Sequence, residues 1–161
     1  MSARAAELIG LLKLAPHPEG GFYRELFRSP HMIEPRDGRA LRPALTSIDF
    51  VLTRGQCSAW HRVLSDEVWH LLEGGPLRLW LLSPALDSVN HIELQAASAA
   101  HAPRHVVPAG WWQAAEPLGD FAYCGASVGP GFDFADFAFG RDHADLRAAL
   151  TRLAPDSLRL L

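Results

Sequence analysis

The sequence predicts an all-β fold, an antiparallel sandwich or closed barrel with a short helix at each end. Three observations predict it. Between about residues 21 and 140 the chain divides into eight or more short apolar or alternating runs, separated by closely spaced turn signals. Helical patterns do not alternate with those runs, which disfavours a parallel α/β sheet. The 161 residues are 48% hydrophobic and 20% charged, a balance that buries a core and lacks the signature of disorder. The whole chain, 1–161, reads as a single domain.

Each element has its own local reason. Ser2 is placed to cap a helix in which Ala5, Leu8, Ile9 and Leu12 recur at helical spacing, until Pro16 stops it. His17-Pro18-Glu19-Gly20-Gly21 is a loop, because Pro and two Gly break both regular structures. A strand-like run holding Phe22, Tyr23, Leu26 and Phe27 ends at Ser29-Pro30, and Asp37-Gly38 is a hairpin signal. Further strands are expected over 45–53, 59–64, 67–73, 77–83, 91–94, 105–107, 111–115 and 120–128. Arg54-Gly55, Gly74-Gly75-Pro76, Ser83-Pro84, Pro108-Ala109-Gly110 and Gly129-Pro130-Gly131 separate them. Asp142 is expected to cap a last helix with Leu146, Leu150 and Leu153, closed by Pro155.

Charge and cysteine usage exclude several roles. A net charge of −3 with scattered Arg gives no electrostatic case for nucleic acid. The N-terminus lacks the apolar stretch of a signal peptide, and no window approaches the roughly 18 apolar residues of a membrane span. Cys57 and Cys124 are far apart and unpaired in motif, so reduced thiols and a cytoplasmic location are expected.

The stretch Gly55 to Gly74, GQCSAWHRVLSDEVWHLLEG, carries the chemistry. Side chains alternate on a strand, so His61 and Val63 share one face and Trp60 and Arg62 the other. A reversal at Ser65-Asp66 then brings Glu67, Trp69 and Leu71 to the same interior face, with His70 opposite. Downstream, Pro108-Ala109-Gly110 leads into Trp111, Gln113 and Ala115, which again share a face.

The spacing of Gly55, His61, Val63, Glu67 and Gly74 resembles the first cupin motif, in which a His-x-His pair and a Glu bind metal inside a jelly-roll barrel. Val63 stands where the second His belongs. The 108–113 segment resembles the second motif, with Gln113 in place of its His. The runs HPEGG at 17–21, WHRVLSDEVWHLLEGGPL at 60–77, VVPAGWWQAA at 106–115 and PGFDFADFAFG at 130–140 are similar to a family of uncharacterised single-domain cupins. The resemblance implies a cupin jelly-roll β-barrel, a homodimer, and a fold shared with sugar-nucleotide epimerases and germin-like cupins. It implies no reaction.

The candidate catalytic residues are His61 and Glu67, with Trp69, Trp111, Gln113 and Tyr123 expected in a ligand pocket. Should a divalent metal bind (Fe, Mn, Ni or Zn), its ligands would be His61, Glu67 and Gln113, the last a weak neutral donor. Three functions follow. The first is metal-independent acid/base conversion of a small polar, carbohydrate-like or carbonyl-containing molecule, of isomerase or epimerase type. The others are a non-catalytic small-molecule binder and a metal-dependent enzyme. His61 and Glu67 as a purely structural hydrogen-bonded pair is the bland alternative. Arg24, Arg39 and Arg62 are expected at the solvated surface or an interface, Phe132, Phe134, Phe137 and Phe139 in packing, and His17 in a loop.

Overall fold

Strand alternation decides the architecture, and the computed structural model describes it for residues 1–161. Helix α1 is Ala3–Leu12, and Ser2 caps it by accepting the Ala5 N–H at 3.2 Å. It ends earlier than Pro16 requires, because Lys13 adopts a left-handed conformation (φ 55°) and its N–H bonds back to the helix. Thirteen strands follow: β1 Ala15–Pro16, β2 Phe22–Arg28, β3 Met32–Ile33, β4 Arg42–Pro43, β5 Thr46–Thr53, β6 Ser58–Val63 and β7 Asp66–Gly74. The remainder are β8 Leu77–Leu82, β9 Val89–Leu94, β10 Arg104–Val107, β11 Trp112–Pro117, β12 Phe121–Gly129 and β13 Phe137–Phe139. Helix α2 is Ala144–Leu153. No helix is long and apolar enough to cross a membrane.

The strands form two antiparallel sheets, one of order β1-β2-β5-β12-β7-β10 and one of order β13-β6-β11-β8-β9, with β3-β4 as a small separate ladder. Inward-facing residues of both sheets make one apolar cluster, including Phe50, Leu52, Trp69, Leu79, Leu81 and Cys124. A second cluster lies outside the five-stranded sheet, where Trp60, Trp80 and Trp112 pack beneath Leu146 and Leu150 of α2. The alternation of β6 thus feeds both layers, sending His61 and Val63 inward and Trp60 outward.

Two local expectations are corrected. Asp142 does not cap α2; it ends a short 3-10 turn at Gly140–Asp142, and His143 occupies the cap position without a side-chain bond. Asp37-Gly38 does not close a tight hairpin, since the β3-β4 ladder pairs Ile33 with Arg42 and leaves both residues in a longer loop. Arg39 and Arg42 fasten that loop by donating to the buried Asp136 carboxylate at 2.7 to 2.9 Å. That network also anchors the segment after β12, which borders the cavity described next.

Candidate active site

A cavity of about 370 Å³ opens between the sheets, walled by β2, β5, β6, β7 and β12 and by the loops around residues 17–19 and 132–134. His61, Val63, Glu67 and Trp69 reach it from β6 and β7, on the inward phase expected of them. Glu19 and His17 reach it from the loop before β2. That loop lies flat on the start of β6: Ala59 N–H donates to the Glu19 carbonyl at 2.9 Å. Gly20 permits the close approach, because it sits at φ 111° and a Cβ there would run into the Cys57 carbonyl oxygen.

The polar floor is ordered by bonds that fix proton positions. His61 Nδ1 lies 2.7 Å from the Ala59 carbonyl, which can only accept, so Nδ1 carries the proton and Nε2 the lone pair. Glu19 Oε2 lies 3.2 Å from the same Nδ1 and accepts the Ser58 hydroxyl at 2.8 Å. His17 is the opposite tautomer. Its Nδ1 accepts the Glu19 N–H at 3.1 Å, leaving Nε2 as the donor. Its ring meets those of Tyr23 and Phe50 edge-on, at centroid distances of 4.3 and 5.4 Å.

Gln113 holds the other side. The Trp69 indole N–H, a donor only, bonds to Gln113 Oε1 at 2.8 Å. The amide NH₂ therefore points to Glu67 and donates to Oε2 at 2.6 Å. Glu67 Oε1, Glu19 Oε1, His61 Nε2 and His17 Nε2 have no protein partner, although the sole buried side-chain polar atom left unbonded is Arg78 Nε. All four open on the cavity.

Burial sets the protonation states. Desolvation raises the Glu67 carboxyl to about 7, with the neighbouring Glu19 adding to the rise and His61 and the Gln113 amide opposing it. Burial likewise raises Glu19, against His17 and its bond from Ser58. Both His17 and His61 are lowered by burial, so both imidazoles are neutral near pH 7. The floor therefore pairs neutral rings with carboxyls that bind protons unusually well.

The decisive comparison covers most of the chain: residues 6–140 match the family model described as Cupin superfamily (DUF985). The chain belongs to this cupin family. A hypothetical protein from Leishmania major is 29% identical over 97% of this chain and 95% of its own, with a TM-score of 0.79. A protein from Shewanella oneidensis is 31% identical over 97% of this chain and 93% of its own, also at 0.79. An oxalate decarboxylase from Lactobacillus farciminis, solved with formate, is 18% identical at a TM-score of 0.59, covering 92% of this chain and 41% of its own; this likeness shows the fold alone. No curated protein is significantly similar in sequence.

Within the cupin barrel, three of the expected pocket residues lie elsewhere. Gln113 does not line the cavity; it stands behind Glu67 and Trp69 with its oxygen taken by the indole. Trp111 is not on the wall either, because it precedes β11 and packs partly buried against the inner apolar cluster. Tyr123 has the wrong phase. On β12 the inward residues are Ala122, Cys124, Ala126 and Val128, and Tyr123 points outward to donate to Asp49 at 2.8 Å.

The same geometry tests the metal set. Gln113 does not line the cavity and turns its oxygen to Trp69 and its NH₂ to Glu67, and Val63 has no donor atom to offer. No three His, Cys, Asp or Glu side chains converge as a ligand group. The expected ligand set is thus reduced to His61 and Glu67, too few strong donors to hold an Fe, Mn, Ni or Zn ion by themselves.

Sequence reasoning missed Glu19 and His17, whose signal was the HPEGG run itself: two glycines after a carboxylate and a His mark a loop built for close backbone approach. It also assigned Phe132 and Phe134 to packing alone, whereas both line the cavity mouth. Arg24, Arg39 and Arg62 stay out of the cavity, engaged by Asp49, by Asp37 and Asp136, and by the Trp112 ring.

Proposed function

We propose that this cupin converts a small polar molecule, carbohydrate-like or carbonyl-containing, by metal-independent acid/base chemistry of the isomerase or epimerase type. One observation carries the reading. A neutral base with a free lone pair, His61 Nε2, and a carboxyl that titrates near pH 7, Glu67, open on one enclosed cavity. In the forward step Nε2 removes the proton from the carbon next to a carbonyl, while protonated Glu67 gives its proton to the carbonyl oxygen. The product is a neutral enediol-type intermediate. Return of a proton to either carbon, and of the hydroxyl proton to Glu67, completes isomerisation or epimerisation with no net change in atoms or charge.

Glu19 supports the base. Its carboxyl beside Nδ1 stabilises the imidazolium formed in the step and holds the ring in its tautomer. Gln113 does the same for Glu67, fixing Oε2 and leaving Oε1 toward the ligand.

Solvent-deuterium incorporation tests the reading. The protein is incubated in D₂O with a panel of aldoses, ketoses and small hydroxyketones, and exchange next to the carbonyl is followed by NMR. Exchange that disappears in His61→Ala and falls at least about 100-fold in Glu67→Gln is expected. Exchange retained in folded His61→Ala overturns it. The alkaline limb of the rate should fall near pH 7, as Glu67 loses the proton it must donate; a rate rising through pH 8 contradicts that role. A second reading, a non-catalytic binder, draws on the aromatic wall of Tyr23, Phe50 and Trp69. Retention of a panel compound without any exchange would select it.

A further inference from the structure

The cavity carries an unbalanced charge. Its lining includes Glu19, Glu25, Glu67 and Asp133, against the single guanidinium of Arg28. Arg28 is not free: it donates to both Glu25 oxygens at 2.9 and 2.7 Å and to the Phe132 carbonyl at 3.2 Å. Neither His17 nor His61 supplies a positive charge in its neutral form. No lysine or second arginine lines the space.

A buried carboxylate without a counter-charge is costly, and proteins ordinarily pair it with an Arg or Lys. Elsewhere in this chain that is what happens, with Asp136 held between Arg39 and Arg42 and Glu116 held by Arg159. At the cavity floor Glu19 and Glu67 keep one oxygen each toward empty space and no protein cation within reach. Glu67 is only 7% exposed, so its charged form is costly without a partner. The rings of Tyr23, Phe50 and Trp69 also line the cavity, and it is the face of such a ring that attracts an organic cation.

We infer that the ligand of this cavity is a small organic cation, a protonated amine such as an amino sugar or aminoketone, whose ammonium supplies the missing partner of Glu19 and leaves Glu67 its proton. Anionic compounds are rejected, because the Glu19 carboxyl faces them and the only guanidinium is already paired with Glu25. The inference rests on the reading of the cavity as the ligand site, and it names the class of compound that the acid/base pair would act on. The raised Glu19 carboxyl fits: arrival of an ammonium favours its ionised form, so binding releases protons.

Binding measured without turnover tests it. Glucosamine, glucose and glucuronate share one ring and differ in charge; tetramethylammonium serves as a ring-free cation. Each is titrated into the full-length protein near pH 7 by NMR, following the Trp69 indole N–H, and by calorimetry in buffers of different ionisation enthalpy. The cations should bind at least about tenfold tighter than glucose, glucuronate should not bind, and binding should release protons. Glu19→Gln should cost about tenfold for glucosamine and leave glucose unchanged. Glu25→Gln, which frees Arg28 at the mouth, should gain affinity for glucuronate.

Glucose or glucuronate binding as tightly as glucosamine overturns the charge rule while leaving the cavity a ligand site. No binding of any probe overturns both the rule and the site. Equal loss of glucosamine and glucose in Glu19→Gln removes Glu19 as the counter-charge.

Discussion

The two sides of the five-stranded sheet form different interiors from adjacent residues of the same strands. Under α2, Trp60, Trp80 and Trp112 pack with Leu82, Leu146 and Leu150, and the indole N–H groups of Trp60 and Trp80 are paired. The Trp60 indole donates to the Ser157 carbonyl at 3.1 Å, and the Trp80 indole to Glu116 at 3.2 Å. On the inward side, one residue along, His61 is just as buried yet keeps Nε2 open, and Glu67 and Glu19 each keep an oxygen open. Packing explains the first interior completely. The second holds ionisable groups at a cost that packing does not return, which is the physical mark of a site kept for a ligand.

The sharpest way to break this contrast is to damage each interior and vary pH. Trp60→Ala should cost about 3–5 kcal/mol, equally at pH 5 and pH 8, because the indole it removes bonds only to a main-chain carbonyl; chemical denaturation at both pH values measures it. Glu67→Gln should do the reverse. A carboxyl raised from 4.5 to about 7 binds its proton more tightly in the folded protein, so wild-type stability falls as pH rises through that window. The variant should match wild type below pH 4.5 and exceed it by on the order of 3 kcal/mol above pH 7. A gain that does not change with pH would remove Glu67 from the list of buried titrating groups.

Gln113→Leu probes the layer between the two. It leaves the Trp69 N–H and Glu67 Oε2 without partners and should cost about 1–3 kcal/mol. It should also push the Glu67 midpoint up, because the amide bond opposes the rise; an unchanged midpoint in a carbon-detected NMR titration would mean that Gln113 only packs. The smallest effect belongs to the exposed pair of Arg54 and Asp120, where Arg54→Ala should change stability by less than about 1 kcal/mol. A larger loss there would show that surface pairs rival the interiors, and would weaken the contrast.

How much of this was legible in the sequence follows from the range of each rule. Period-two alternation is local, so it placed His61 and Val63 inward, Trp60 outward, and Glu67 with Trp69 on the opposing wall. It put Gln113 inward too, but alternation fixes only the face, and Gln113 faces inward behind the wall. Tyr123 was ambiguous for want of a phase reference on β12, where small residues, Ala122 and Ala126, take the inward positions. Glu19 lay beyond the alternation rule for a different reason. A loop residue acquires its neighbours from the tertiary path of the chain, here the seating of Gly20 on Cys57, and no periodicity encodes that. The metal question lay between these cases: Val63 and Gln113 weakened the ligand set on sight, but only the structure shows that Gln113 stands behind the wall with its oxygen turned to Trp69.

The opposed tautomers of His17 and His61 give the cavity a direction. A ligand bridging them must offer an acceptor to His17 Nε2–H and a donor to His61 Nε2; turned end for end, it meets donor with donor and lone pair with lone pair. Since both ring states are fixed by main-chain partners, the Glu19 N–H and the Ala59 carbonyl, neither can rotate its proton to suit a reversed guest. A pocket used as proposed would therefore distinguish the two ends of a symmetric carbon skeleton, its regiochemistry set by the backbone that surrounds it.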